Sequence, residues 1–320
     1  MSGILQQHEF YNISSSMKKT YHICISAGDE VLCRSEEDYI YCFNSLALAI
    51  HDTGSSLLAD SIMSTHLHEC VRTEDPLLLV RKHRYTYTRY FNRKYHRKGS
   101  LVEPDVFIIE LDGLYHTLAA MNYTFRNALH HGVSPTPLAY RHSSARVIFR
   151  KALGHAEEPQ LLHPSRQHRF LPYRTKCPEG YRMDKSGLIL REDVVDTVDV
   201  EHMFVTPRSY LYNMNRLSGE EWMREQEKDG NGDKPVTLDM IEEGARHQTI
   251  SEMLSNEHGR NDYNTISDIG LCTHIDKVLL PQMGRESVYV LSMSEKTALA
   301  KHLKATYRLP SGQIRRCLAM

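Results

Sequence analysis

The chain has 320 residues, 41% of them hydrophobic, enough for a real core in two domains or in one domain with a long appendage. Its formal charge of −1 points to no partner for the chain as a whole, so any argument about polyanions must be local. The seven cysteines are odd in number and contain no Cys-x-x-Cys pair, which argues against a disulfide framework or a zinc ribbon and suits a reducing cytoplasm. No apolar run approaches the length of a bilayer span and no signal pattern opens the chain, so no membrane partner is expected.

Residues 1–19 are polar and read as a loose arm. Residues 20–26 are β-branched and aromatic and read as a first strand, followed by the turn signal Gly28-Asp29. Ser35 and the acids after it mark a helix start. Ile40, Phe43, Ala47 and Ile50 recur at helical spacing, and Gly54 closes the helix. Residues 57–63 read as a strand, and Ser64-Thr65 as a turn or kink leading into His66-Leu67-His68. On a strand, side chains alternate, so His66 and His68 share one face about 7 Å apart while Leu67 enters the core and Glu69 faces the other side. Two neutral imidazoles so placed can share one divalent metal, with room left for a third protein ligand and a phosphate. The same pattern suits two ordinary histidines on a half-buried strand, in a chain with 19 of them.

Thr73-Glu74-Asp75-Pro76 opens a second helix, with Leu77, Val80, Tyr87 and Phe91 as its apolar face. The segment 81–98 carries Arg81, Lys82, Arg84, Arg89, Arg93, Lys94, Arg97 and Lys98 with no acid, interleaved with Tyr85, Tyr90 and Tyr95. Cations neutralise phosphates and tyrosine rings stack on unpaired bases, so nucleic-acid contact is expected; the alternative is a solvated helix with snorkelling cations. Gly99-Ser100 breaks the helix and residues 106–110 form a further strand. Asp112 caps a third helix running to about His130, with Leu114, Leu118, Met121 and Phe125 as its core stripe. Tyr123 and Asn127 fall one turn apart on the opposite face, so Tyr123 is expected to meet either solvent or a separate site.

The second half is less informative. Four prolines and the basic stretch 166–176 suggest an irregular connector, and residues 183–200 suggest short strands ending in an acidic stretch. Residues 229–233 hint at a calcium loop, but Lys234 and Met240 stand where glycine and glutamate are needed, so a turn is the better reading. Residues 266–279 read as helical. Near the end, a helix from Ser294, a break at 309–312 and a helix bearing Arg315 and Arg316 suggest a DNA-facing helix-turn-helix, or equally a plain helical hairpin.

The order of these features, with His66-Leu67-His68, then the basic helix, then Tyr123-Thr124-Phe125-Arg126-Asn127, resembles a single-tyrosine HUH transposase over residues 20–145. The REP-associated tyrosine transposase group is the most similar. The resemblance implies an α+β, ferredoxin-like domain at 20–145, its antiparallel sheet carrying helices on one face. A connector and accessory region at 146–292 and a helix-turn-helix-like segment at 293–320 make up a mostly helical remainder. It implies a metal-dependent single-strand DNA endonuclease and strand-transferase that acts through a 5′-phosphotyrosine. Tyr123 would be the nucleophile, and His66, His68 and Asn127 would hold Mg²⁺ or Mn²⁺. The implied partner is hairpin-containing single-stranded DNA, bound by a monomer or homodimer at the nucleoid of a bacterial cytoplasm.

The sequence departs from the family pattern in places. Ser64-Thr65 stands for Pro-Asn, Glu69 and Cys70 interrupt an apolar run, and Asn127-Ala128 stands for Asn-Pro, which lets the helix continue. His116 and His130 fall on the tyrosine side of the third helix, as polar-face residues or proton shuttles. Two rival readings stay open: a DNA-binding regulator that kept the fold without catalysis, and a replication or conjugation nicking protein.

Overall fold

The computed structural model describes residues 18–101, 106–155, 158–215 and 266–320. Its frame is β1 (Lys19–Ser26), α1 (Glu36–Asp52), β2 (Ser56–Ile62), β3 (His66–Thr73), α2 (Pro76–Tyr95), β4 (Phe107–Leu111) and α3 (Gly113–His130). The helix starts follow local chemistry. The Asp38 carboxylate accepts from the backbone N–H groups of Arg34 and Ser35 at 2.8 and 2.9 Å, satisfying donors at the head of α1. Asp75 accepts from the Leu78 N–H at 2.8 Å, and Pro76 needs no donor at its position in α2.

The four strands form one sheet in the order β2-β3-β1-β4, with every neighbouring pair antiparallel. This is an α+β arrangement in which α1 and α2 each cross between strands. The expectation of helices on one face needs correction. Glu69 of β3 points toward Cys42 of α1 and His83 of α2, and the two helices meet where the His83 ring lies 3.2 Å from the Cys42 carbonyl oxygen. His68 and Cys70 point the other way, against Tyr123 and Thr124 of α3. Each face of the sheet is therefore covered, which is why β3 is buried along nearly its whole length.

Chain beyond α3 closes the β2 edge. Leu57 bridges Val195 and Ser61 bridges Ser143, and the Arg191 guanidinium lies 3.1 Å from the buried Asp60 carboxylate. Residues from 183 to 214 join the same buried core as the sheet, through Met183, Ile189, Val200, Phe204, Tyr210 and Met214. Where short strands were expected, at 183–200, the chain makes isolated bridges (Met183 to Ile189, Asp184 to Leu161 and Val195 to Leu57), a helical turn at Arg191–Val194 and the start of helix α4 (Thr197–Phe204), which α5 (Pro207–Asn215) follows. The calcium-like loop at 229–233 and most of the N-terminal arm lie outside the described residues.

The C-terminal helices make a second core. α6 (Asp268–His274) continues into a π-helical turn (Ile275–Leu279), followed by α7 (Met293–Tyr307) and α8 (Ser311–Leu318). Their apolar faces enclose Leu271, Ile275, Leu303, Ile314 and Leu318, and Val31 from the β1–α1 loop inserts among them. α8 buries Gln313, Ile314, Arg316, Cys317 and Leu318, so it is packed as core. Arg315 is exposed on the opposite face of α8. No helix of the described residues is long and apolar enough to cross a membrane.

Candidate active site

The site begins with the β1–β3 register. Cys24 lies opposite His68 and Ser26 opposite His66, so these four side chains project together toward α3. Both imidazoles are anchored through Nδ1. His66 Nδ1 is 3.0 Å from Thr65 Oγ1, and His68 Nδ1 is 3.1 Å from Nε2 of His22, a residue two positions along β1. The His66 and His68 rings meet edge to face at 5.1 Å.

α3 supplies the other wall. The Tyr123 ring meets the His68 ring edge-on at 5.1 Å and stacks on His130 at 5.5 Å. One turn after Tyr123, Asn127 is fully buried beside His66. At the helix end, His131 meets His66 at 5.0 Å, and its backbone N–H donates to the Asn127 carbonyl. The four residues assigned from the sequence, Tyr123, His66, His68 and Asn127, thus converge on one face of the sheet. His22, Thr65 and His131 complete the cluster and were not assigned. A cross-strand alignment of His22 with the imidazole pair was the one available signal, and it requires a register the sequence does not print.

Tyr123 does not face solvent. It is 4% exposed and belongs to the main core, packed against His68 of β3 and His130 of its own helix. Of the expected stripe, Met121 and Phe125 are fully buried and Leu118 packs against the core, while Leu114 is 57% exposed; Thr117, Ala120 and Thr124 are buried as well. His130 is largely buried beside Tyr123, whereas His116 lies far back at the start of the helix.

Burial sets the protonation of the cluster. It pushes His22 and His66 down to about 3 and His130 and His131 down to about 4, and holds His68 well below the usual imidazole range, with neighbouring imidazoles adding to the effect at His68. All five rings are neutral at pH 7, the form in which an imidazole binds a metal.

Several polar atoms here are buried and make no hydrogen bond of ordinary geometry among the described residues: His66 Nε2 and both amide atoms of Asn127, which lie against each other, both ring nitrogens of His131 and His22 Nδ1. Each such atom costs about 1–3 kcal/mol, so their concentration in one place calls for a ligand. The donor set fits a divalent cation through His66 Nε2 and the Asn127 amide oxygen. His68 Nε2 adds to it, with the weakly interacting Cys24 thiol 4.0 Å away. Among the described residues, no group of three or more His, Cys, Asp or Glu side chains has metal-holding geometry, so the fit depends on the Asn127 amide.

A scan against family models finds no match, and no curated protein matches. Among solved structures, the chain is similar to one described as a REP-associated tyrosine transposase bound to a REP hairpin. The similarity has 13% identity and a TM-score of 0.36, and spans 48% of this chain and 89% of that one.

The basic residues separate into two groups. Lys94 lies 2.7 Å from both Glu37 and Asp38, Arg97 makes two 3.0 Å bonds to Glu30, and Arg316 grips Asp268 at 2.7 and 2.8 Å. These three are structural cations, contrary to their assignment to DNA, because acids distant in sequence neutralise them. Lys82 lies 3.4 Å from Asp52. Arg93, Lys98 and Arg315 are exposed. Arg81, Arg84 and Arg89 line a cleft of about 830 Å³ with Tyr85, Thr88, Gly99, Ser100 and Val106, and among the described residues no acid lines it. Tyr85 is well exposed and the Arg89 guanidinium sits 5.3 Å from its ring centre. This cleft lies on the α1–α2 side of the sheet, opposite the imidazole cluster.

Proposed function

We propose that this protein is a tyrosine-dependent DNA strand-transferase with the ferredoxin-like HUH arrangement, acting on single-stranded, hairpin-containing DNA. The observation that carries this reading is the convergence of Tyr123 from α3 with His68, His66 and Asn127 around buried, unpartnered ligand atoms. Tyr123 Oη would attack a backbone phosphorus as the bond from phosphorus to the 3′ oxygen breaks. The phenol loses its proton and the departing 3′ oxygen gains one, so the phosphodiester is conserved as a phosphotyrosine and the reverse step can rejoin a strand. His66, His68 and Asn127 would hold a divalent cation, Mg²⁺ or Mn²⁺, which when bound supplies Lewis-acid stabilisation of the phosphate oxygens. The Arg81–Arg84–Arg89 cleft would hold phosphates, with Tyr85 as a stacking surface. A strand using both features must pass around a sheet edge, since the sheet lies between them.

The test is a hairpin oligonucleotide incubated with the full chain and Mn²⁺, then resolved on a denaturing gel. A covalent protein–DNA adduct that disappears in Tyr123→Phe supports the reading. Cleavage that persists in Tyr123→Phe defeats it. The burial of Tyr123 favours a second reading, a DNA-binding protein that does not cut. It differs in outcome: hairpin DNA bound equally with and without metal, and no adduct from the wild type. On the first reading the packing over Tyr123 opens when DNA binds, and amide exchange in α3 should quicken on adding the hairpin.

A further inference from the structure

We propose that His22 is a positioning residue that fixes the tautomer of His68 and so presents His68 Nε2 to the cation site. This inference rests on the metal reading above and concerns a residue outside the expected ligand set.

His22 is completely buried on β1, with its ring stacked on His68 at 5.2 Å and an interplanar angle of 23°. The contact is His22 Nε2 to His68 Nδ1 at 3.1 Å. Two neutral imidazoles share one proton across such a contact, which leaves two arrangements. In the first, His68 carries its proton on Nδ1 and donates it to His22 Nε2. The His68 Nε2 lone pair is then bare, on the same face as His66 Nε2 and Asn127 Oδ1. In the second, His22 donates and His68 is protonated on Nε2, where it can ligate nothing. Both arrangements strand one nitrogen of His22, since His22 Nδ1 has no partner among the described residues. They differ at the other end. Only the first leaves atoms that one cation can satisfy together. Thr65 has the same relation to His66 at 3.0 Å. A metal-bound imidazole usually donates its other N–H to a carboxylate, carbonyl or water, and here a second imidazole takes that place.

The experiment uses the full chain labelled with ¹⁵N-histidine. Two-bond ¹⁵N–¹H correlation spectra of the metal-free protein report which nitrogen of each ring is protonated. Mn²⁺ binding is followed separately by the electron paramagnetic resonance signal of the free ion. His68 should show a protonated Nδ1 and a bare Nε2. His22→Leu should weaken Mn²⁺ binding about 10- to 100-fold, and His22→Gln, which keeps an acceptor oxygen, should recover most of that loss. A wild-type His68 protonated on Nε2 overturns the proposal, as does a folded His22→Leu that binds Mn²⁺ with unchanged affinity. Where His22→Leu fails to fold, the wild-type spectrum and His22→Gln decide. Should the wild type bind no Mn²⁺, the metal reading falls, while the spectrum still decides the tautomer.

Discussion

Arg34 Nη2 stands 2.7 Å from Asp276 Oδ1, joining the β1–α1 loop to the C-terminal helices across 242 residues of chain. The Arg34 side chain is fully buried, makes a second bond to Asp276 at 3.0 Å and donates to the Cys317 carbonyl at 2.8 Å. Removing the carboxylate strands a charge in the interior, whereas replacing the guanidinium by an apolar chain strands only an acid that water can reach. Asp276→Ala should therefore cost about 3 kcal/mol and Arg34→Met clearly less, measured by urea unfolding followed by circular dichroism. Equal losses would mean that the two charges do not depend on each other.

The sorting of the basic residues gives a second prediction. Alanine at Arg81, Arg84 and Arg89 together should reduce the slope of log affinity against log salt for single-stranded DNA by about 2, at roughly 0.7 per phosphate contact. Alanine at Lys94, Arg97 or Arg316 should leave that slope unchanged and lower the unfolding midpoint instead, because each is held by an acid within the protein. Fluorescence anisotropy across a salt series, beside urea titrations of the same variants, separates the two groups.

This division marks where the sequence stopped being readable. Periodicity and caps located the elements from β1 to α3 within a residue or two, because helix starts such as Asp75-Pro76 and the alternation at His66-Leu67-His68 are local; the exception is α2, which ends at Tyr95, short of the expected break at Gly99. The convergence of Tyr123 with those histidines was legible through the order of motifs. What escaped depends on contacts distant along the chain. Lys94 looks the same in sequence as Arg89; only the fold brings Asp38 to one and a cleft to the other. His22 looked like part of a strand and nothing more until the register put it against His68. The burial of Tyr123 escaped for the same reason, since it depends on β3 lying against that side of α3.

Asn127 carries a third prediction. Its amide nitrogen and oxygen are buried and make no hydrogen bond of ordinary geometry among the described residues, the amide lying only against the His66 ring, a cost the fold bears for little structural return. Asn127→Leu, close in volume and apolar, should raise metal-free stability by about 1 kcal/mol while abolishing Mn²⁺ binding. Urea unfolding and a Mn²⁺ titration on the same preparation check both halves. A destabilised Asn127→Leu would show that the amide has a structural role.

The last prediction concerns acid. His142 is buried against Tyr39 and Tyr140, with Nε2 3.3 Å from Glu36 Oε2 and with Arg141 and Arg191 nearby. Burial holds it below its ordinary 6.5, the Glu36 contact opposing this in part. As the pH falls, the unfolded chain takes up a proton at this position before the folded chain does. Stability from this group is therefore present above about 6.5 and is lost on acidification. Glu36 is held below its ordinary 4.5, chiefly by the hydrogen bond from His142, so its contribution has the same sign in a lower window. His142→Gln keeps an N–H for Glu36 but does not titrate. The variant should thus lose less stability than the wild type between pH 7 and 5, and the two curves should run parallel above 7. Other buried histidines titrate alike in both proteins, so the difference between the curves isolates His142. Curves that stay parallel down to pH 5 would show that the His142 ring is protonated equally in the folded and unfolded chain.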